Sequence, residues 1–141
     1  MNTVRHIMEK NVITIDYNKT AFDTAKLLVE NNTDFAIILQ DKKPIGIVTE
    51  SDYIKKIIIK NKNASEIPIK DIMTENFQTV KPSTEIENAI QKMLNNSIKR
   101  LLVFENNDLV GVVTQIGLAS YLRNKLLIDS TIRKIESDNN D

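Results

Sequence analysis

The sequence repeats itself at one fixed distance. Met8 and Met73, Thr14 and Thr79, Asn31 and Asn96, Gly46 and Gly111, and Thr49 and Thr114 are each 65 positions apart. No insertion breaks the register. A gapless period of this length means one supersecondary unit present twice, with neither copy able to bury its apolar faces alone. Two similar halves sharing one core are therefore expected. The differences between the copies carry the rest of the information: copy one ends Thr49-Glu50-Ser51-Asp52, whereas copy two ends Thr114-Gln115-Ile116-Gly117.

Each copy reads in the same order. A short amphipathic turn at 4–9 or 69–74 precedes a brief extended piece at 12–15 or 77–80. Thr20 with Asp23, and Thr84 with Glu87, then have the spacing of capping boxes that start a helix. Those helices place Ala21, Ala25, Leu28 and Val29, and Ile86, Ile90, Met93 and Leu94, on one face. Asn31-Asn32 and Asn95-Asn96-Ser97 end them, since Asn tolerates the left-handed conformation. Apolar runs at 35–39 and 45–48, and at 101–104 and 109–113, read as buried strands joined by polar turns. Helices are expected over roughly 51–60 and 115–125. The order is β-α-β-β-α, twice, which gives an α+β fold with the repeats packed sheet to sheet about a pseudo-two-fold axis. Repeat one spans 1–60, a linker 61–68, and repeat two 69–125. Residues 126–141 are expected to add a helical turn and a tail frayed over 137–141.

Composition excludes several classes. The 141 residues hold 19 basic and 19 acidic side chains, and so lack the basic surplus of a nucleic-acid binder. Cysteine is absent, which excludes thiolate nucleophiles and disulfides and suits a reducing compartment. No run approaches the ~20 apolar residues that span a bilayer. A soluble cytoplasmic protein is expected, with no membrane and no nucleic acid as partner. His6, the single histidine, has no metal-ligand spacing around it and reads as a surface residue.

The run Gly46-Ile47-Val48-Thr49-Glu50-Ser51-Asp52 supports two readings. Thr-x-x-Asp at a helix start is itself a capping box. Against that, glycine in a buried strand marks a close approach of backbone or ligand. The Thr hydroxyl and free helix N–H groups suit an anion, and a carboxylate one turn on can take both hydroxyls of a ribose. Together with the duplication, this run, Ile72-Met73-Thr74, Thr79-Val80-x-Pro82 and Lys99-Arg100-Leu101-Leu102-Val103 resemble a tandem CBS-domain pair, or Bateman module, over roughly residues 1–125.

The resemblance implies two clefts, each combining the Thr-x-x-Asp of one repeat with the strand edge and basic dipeptide of the other. Cleft one would hold an adenine nucleotide (AMP, ADP or ATP) as a regulatory ligand. Asp52 would take the ribose, Thr49 a phosphate, and Lys99 and Arg100 the phosphate charge. Ile47, Val48 and the Gln78 backbone would frame the adenine, with Thr79 and Val80 completing the strand edge of the cleft. Cleft two would join Thr114 and Gly117 to Ile13–Ile15, Asp34 and Phe35. With no carboxylate at Gly117 and an acid at Asp34, it is expected not to bind comparably. The resemblance also implies a flat homodimer, and apolar Tyr53, Ile54, Ile57, Ile58, Leu118, Tyr121 and Leu122 on the outer helices fit an interface. The output would pass to an effector protein or through oligomerisation. A ligand-free scaffold and an S-adenosylmethionine sensor are the alternatives. No nucleophile lies beside a base, so no enzyme activity is expected.

Overall fold

The computed structural model describes residues 2–139. Repeat one supplies β1 (Thr14–Asp16), α1 (Ala21–Glu30), β2 (Phe35–Gln40), β3 (Lys43–Thr49) and α2 (Glu50–Tyr53), which continues as a π-helix over Ile54–Ile58. Repeat two supplies β4 (Thr79–Val80), α3 (Ile86–Asn96), β5 (Arg100–Glu105), β6 (Asp108–Thr114) and α4 (Gln115–Asn139). The strands form two three-stranded sheets, ordered β1-β2-β3 and β4-β5-β6. In each, the first pair is parallel and the second antiparallel. The architecture is the expected α+β duplication.

Local chemistry repeats with the same period. Both hairpins close on two residues in left-handed conformation, Asp41 and Lys42 (φ 52° and 66°) and Asn106 and Asn107 (φ 51° and 69°). That geometry matches the twist of the flanking strands. Asn32 (φ 50°) and Ser97 (φ 52°) end α1 and α3 in the same way. At the helix starts the copies diverge. Thr20 Oγ1 accepts from Asp23 N at 3.0 Å, the N-cap half of the expected box. The box at Thr84 and Glu87 does not form, because the true counterpart of Thr20 is Glu85, which sits at the N-cap with no side-chain hydrogen bond. Thr84 Oγ1 instead accepts from Lys81 N at 3.2 Å.

The halves exchange their leading segments. Val4 packs with Ile86, Met93, Leu101 and Val113 of repeat two. Its counterpart Ile69 packs, together with Ile72, against Leu28, Ala36 and Val48 of repeat one. Short bridges fix both crossings: Glu9 pairs with Val112, and Thr74 with Ile47. Between the sheets lies a third cluster of counterparts, Ile37 with Leu102 and Ile47 with Val112, joined by Phe35. This is the sheet-to-sheet core that the sequence implies.

The last helix runs on to Asn139 as one piece, past the expected end near Lys125. No Gly or Pro follows Gly117, and single Asp, Ser or Thr residues cost a helix interior only about 0.7 kcal/mol or less each. Thr131 even returns its hydroxyl to Leu127 O at 2.9 Å. Of the tail expected to fray, 137–139 are helical, and Asn140 and Asp141 lie outside the described residues. Among the described residues no helix is long and apolar enough to cross a membrane.

Candidate functional site

At the end of β3 the chain enters α2 through a capping box. Thr49 N donates to Asp52 Oδ2 at 2.9 Å, and the Thr49 hydroxyl lies 3.5 Å from the same oxygen. The other oxygen accepts from Thr74 Oγ1 at 3.2 Å and pairs with Lys56 Nζ at 3.0 Å. Asp52 is only 7% exposed, and both carboxylate oxygens are engaged. Beside it, the Tyr53 hydroxyl donates to Ala21 O at 2.6 Å. Burial, with the Asp52 charge adding to it, pushes that phenol up to about 12.

The glycines report close approach, but to protein. A Cβ on Gly46 would lie 2.5 Å from Met73 Sδ, and one on Gly111 would lie 2.9 Å from Glu9 O. Each glycine makes room for the segment that crosses from the other repeat. Met8 and Met73 fill core there.

The pseudo-two-fold axis passes where Arg100 meets its own counterpart, Phe35. The guanidinium lies 4.8 Å from the ring centroid, and Nη2 bonds Asp34 Oδ2 at 2.7 Å. Nε is buried with no hydrogen-bond partner. Asp34 is thus neutralised by Arg100, which removes the unpaired negative charge expected to spoil cleft two.

On this side the molecule opens. A cavity of about 1110 Å³ lies against Arg100, Lys99, Asp34 and Phe35. Val12, Ile13, Thr114, Tyr53, Ile54 and Glu9 also line it. That volume lies just above what small-molecule sites usually offer, roughly 300–1,000 Å³. Ile13, Asp34, Phe35 and Thr114 belong to the set assigned from the sequence to cleft two, whereas Thr14, Ile15 and Gly117 of that set do not line the cavity. Of the nine residues assigned to cleft one, only Lys99 and Arg100 line the cavity. Ile47 and Val48 are buried, Thr49 and Asp52 cap α2, and Gln78, Thr79 and Val80 lie at the edge strand β4. The structure therefore does not gather Asp52 and Arg100 around one large cavity.

Glu9 was missed by sequence reasoning. Its backbone pairs with Val112 in both directions, at 2.8 and 3.0 Å, and its carboxylate accepts from Thr114 Oγ1 at 3.4 Å. The signal was present in the repeat, since Glu9 stands where the second copy has Thr74, the residue whose hydroxyl holds Asp52.

A family model of the CBS domain matches residues 4–59 and 69–124. An uncharacterised protein of Methanopyrus kandleri is 33% identical over 114 residues, covering 79% of this chain and 58% of that protein. A mitochondrial CBS domain-containing protein of Arabidopsis thaliana is 30% identical over 100 residues, covering 67% of this chain and 48% of its own. The chain spans about half to three fifths of the length of these curated relatives. Among solved structures, a CBS domain pair in complex with 5′-methylthioadenosine and S-adenosyl-L-methionine is similar at TM-score 0.77 and 27% identity, covering 87% of this chain and 97% of that one. A conserved uncharacterised protein from Pyrococcus horikoshii is similar in fold at TM-score 0.79 and 24% identity, covering 86% and 92%.

Proposed function

The chain belongs to the CBS-domain family as a tandem pair, and on that premise we propose that it is a regulatory module taking an adenosine-containing ligand into the large cavity. Arg100 carries the proposal. Its guanidinium lines the cavity, its side chain is 17% exposed, and among the described residues its one side-chain hydrogen bond runs from Nη2 to Asp34. A ligand phosphate would pair with the exposed part of the planar fork, which suits Arg to such groups. Lys99 adds charge at the same wall, and the half-buried Val12 and Ile13 offer apolar surface for a base. An adenine nucleotide is the favoured ligand. S-adenosylmethionine is the second reading, supported by the relative solved with it.

The module acts by binding, not by catalysis, in this reading: the one imidazole, on His6, lies against Thr3 at 3.2 Å, away from the cavity. Ligand state would be passed on by differential affinity for two arrangements of the protein. Exposed Ile54, Ile58, Ile116 and Leu122 offer the surface for a second copy or an effector.

Calorimetric titration of the full chain with adenosine, AMP, ADP, ATP and S-adenosylmethionine tests the proposal. Arg100→Ala is expected to weaken the nucleotides about tenfold or more, the scale of a charge-assisted hydrogen bond, while adenosine changes little. Equal losses for all ligands would remove Arg100 from the phosphate role. Silence from every ligand at millimolar concentration would leave a scaffold.

A further inference from the structure

The two helix starts that follow β3 and β6 both set a carboxylate beside the capping threonine, but they draw it from different segments. After β3, the carboxylate is on the helix, at Asp52, and the hydroxyl comes from the crossing segment, at Thr74; the two meet at 3.2 Å. After β6, the helix position is Gly117, and its N–H donates to Thr114 Oγ1 at 2.9 Å. Here the crossing segment brings the acid instead: Glu9 accepts from the Thr114 hydroxyl at 3.4 Å. The carboxylate has changed repeats but remains beside the capping threonine.

The two acids differ in what they have left to give. Asp52 is buried and holds an amide, a hydroxyl and the Lys56 ammonium. Glu9 is exposed, lines the large cavity, and has one long hydrogen bond and no ion pair among the described residues. Its backbone is bonded to Val112 through both N–H and C=O, which fixes the point from which its side chain reaches the cavity. The other acids on the cavity wall are less suited. Asp34 is occupied by Arg100. Glu50 stands in the first turn of α2 without a side-chain partner to orient it. Thr114 and Arg100 are register partners across β5 and β6, so Glu9, Thr114 and Arg100 form one continuous polar row along the cavity.

We propose that Glu9 supplies the ribose-binding carboxylate of this cavity, accepting from the vicinal hydroxyls and standing in for the acid that Gly117 lacks. A carboxylate can take both hydroxyls of a cis-diol at once, and the partner it selects is a ribonucleoside over its deoxy form. The inference rests on the proposed adenosine site and names the residue that reads its sugar.

The test compares AMP with 2′,3′-dideoxy-AMP by calorimetry on the full chain. Wild type is expected to prefer AMP by about tenfold or more, the worth of a hydrogen bond to a charged group. Glu9→Gln keeps an acceptor for Thr114 and is expected to erase that preference while leaving the dideoxy analogue unchanged. Asp52→Asn and Glu50→Gln are expected to keep it. A wild-type-sized preference in Glu9→Gln, or its loss in Glu50→Gln or Asp52→Asn instead, would overturn the role of Glu9 alone. Failure of wild type to bind AMP at millimolar concentration would bring down the adenosine site as well, so the two failures are separate results.

Discussion

Tyr53 joins the wall of the cavity to the packing of α1. Its hydroxyl reaches Ala21 O at 2.6 Å, and the phenol is pushed up to about 12 chiefly by burial. A phenol with a folded pKa above its unfolded value of about 10 holds its proton more tightly in the native state. The stability it contributes is complete below pH about 10 and is lost as the pH rises from there towards 12. Near neutral pH, Tyr53→Phe should cost about 1 kcal/mol, since Ala21 O loses its donor. In denaturant melts across alkaline pH, the gap between wild type and Tyr53→Phe should close above pH 10. A constant gap would show that the phenol does not titrate differently on folding. The same neighbourhood shows what residue spacing reveals and what it hides. Thr-x-x-Asp was legible as a cap, and the cap is there. That Asp52 is also held by Thr74, 22 positions away in sequence, depends on the crossing of the two repeats, which spacing within one motif does not contain.

At the scale of elements, both sheets, both hairpins and all four helices were legible, because apolar period and turn residues act locally. Besides the unformed Thr84–Glu87 box and the π-helical continuation of α2, two features were not. The reach of α4 past Lys125 depends on the absence of a breaker, a weaker signal than the presence of one. The function of Gly46 and Gly111 depends on a partner segment: they accommodate Met73-Thr74 and Met8-Glu9, not a ligand. The two glycines should differ in tolerance. A Cβ at Gly46 first meets the flexible side chain of Met73, at 2.5 and 2.9 Å, with Thr74 O at 3.1 Å. At Gly111 it also meets a backbone atom, Glu9 O, at 2.9 Å. Overpacking of this kind costs typically about 1–3 kcal/mol. Gly111→Ala should therefore destabilise more than Gly46→Ala in urea unfolding. Adding Met73→Ala should relieve the steric part of the Gly46→Ala loss more fully than Met8→Ala relieves Gly111→Ala. Equal relief would mean that the carbonyl of Glu9 moves aside freely.

For the whole molecule, the unit of sequence and the unit of packing are offset. The repeat begins at the leading turn, yet that turn serves the other half. Ile69 and Ile72 complete the core around Leu28, Ala36, Val48 and Ile57, and Thr74 pairs with Ile47. A fragment covering 10–74 holds that cluster entire, whereas one covering 1–60 lacks Ile69 and Ile72 and carries Val4 with nothing to pack against. Truncating two buried isoleucines costs on the order of 2–5 kcal/mol each, comparable to the whole stability of so small a unit. Fragment 10–74 should therefore unfold cooperatively where 1–60 does not. It should also self-associate, because Phe35, Ile37 and Ile47 would seek the face that Leu102 and Val112 cover in the intact chain. Thermal melts by circular dichroism and light scattering decide it. A cooperative 1–60 fragment as stable as 10–74 would mean that the crossing segments are attached to the halves without holding them together, and that the row from Glu9 to Arg100 lacks the rigid frame a specific site needs.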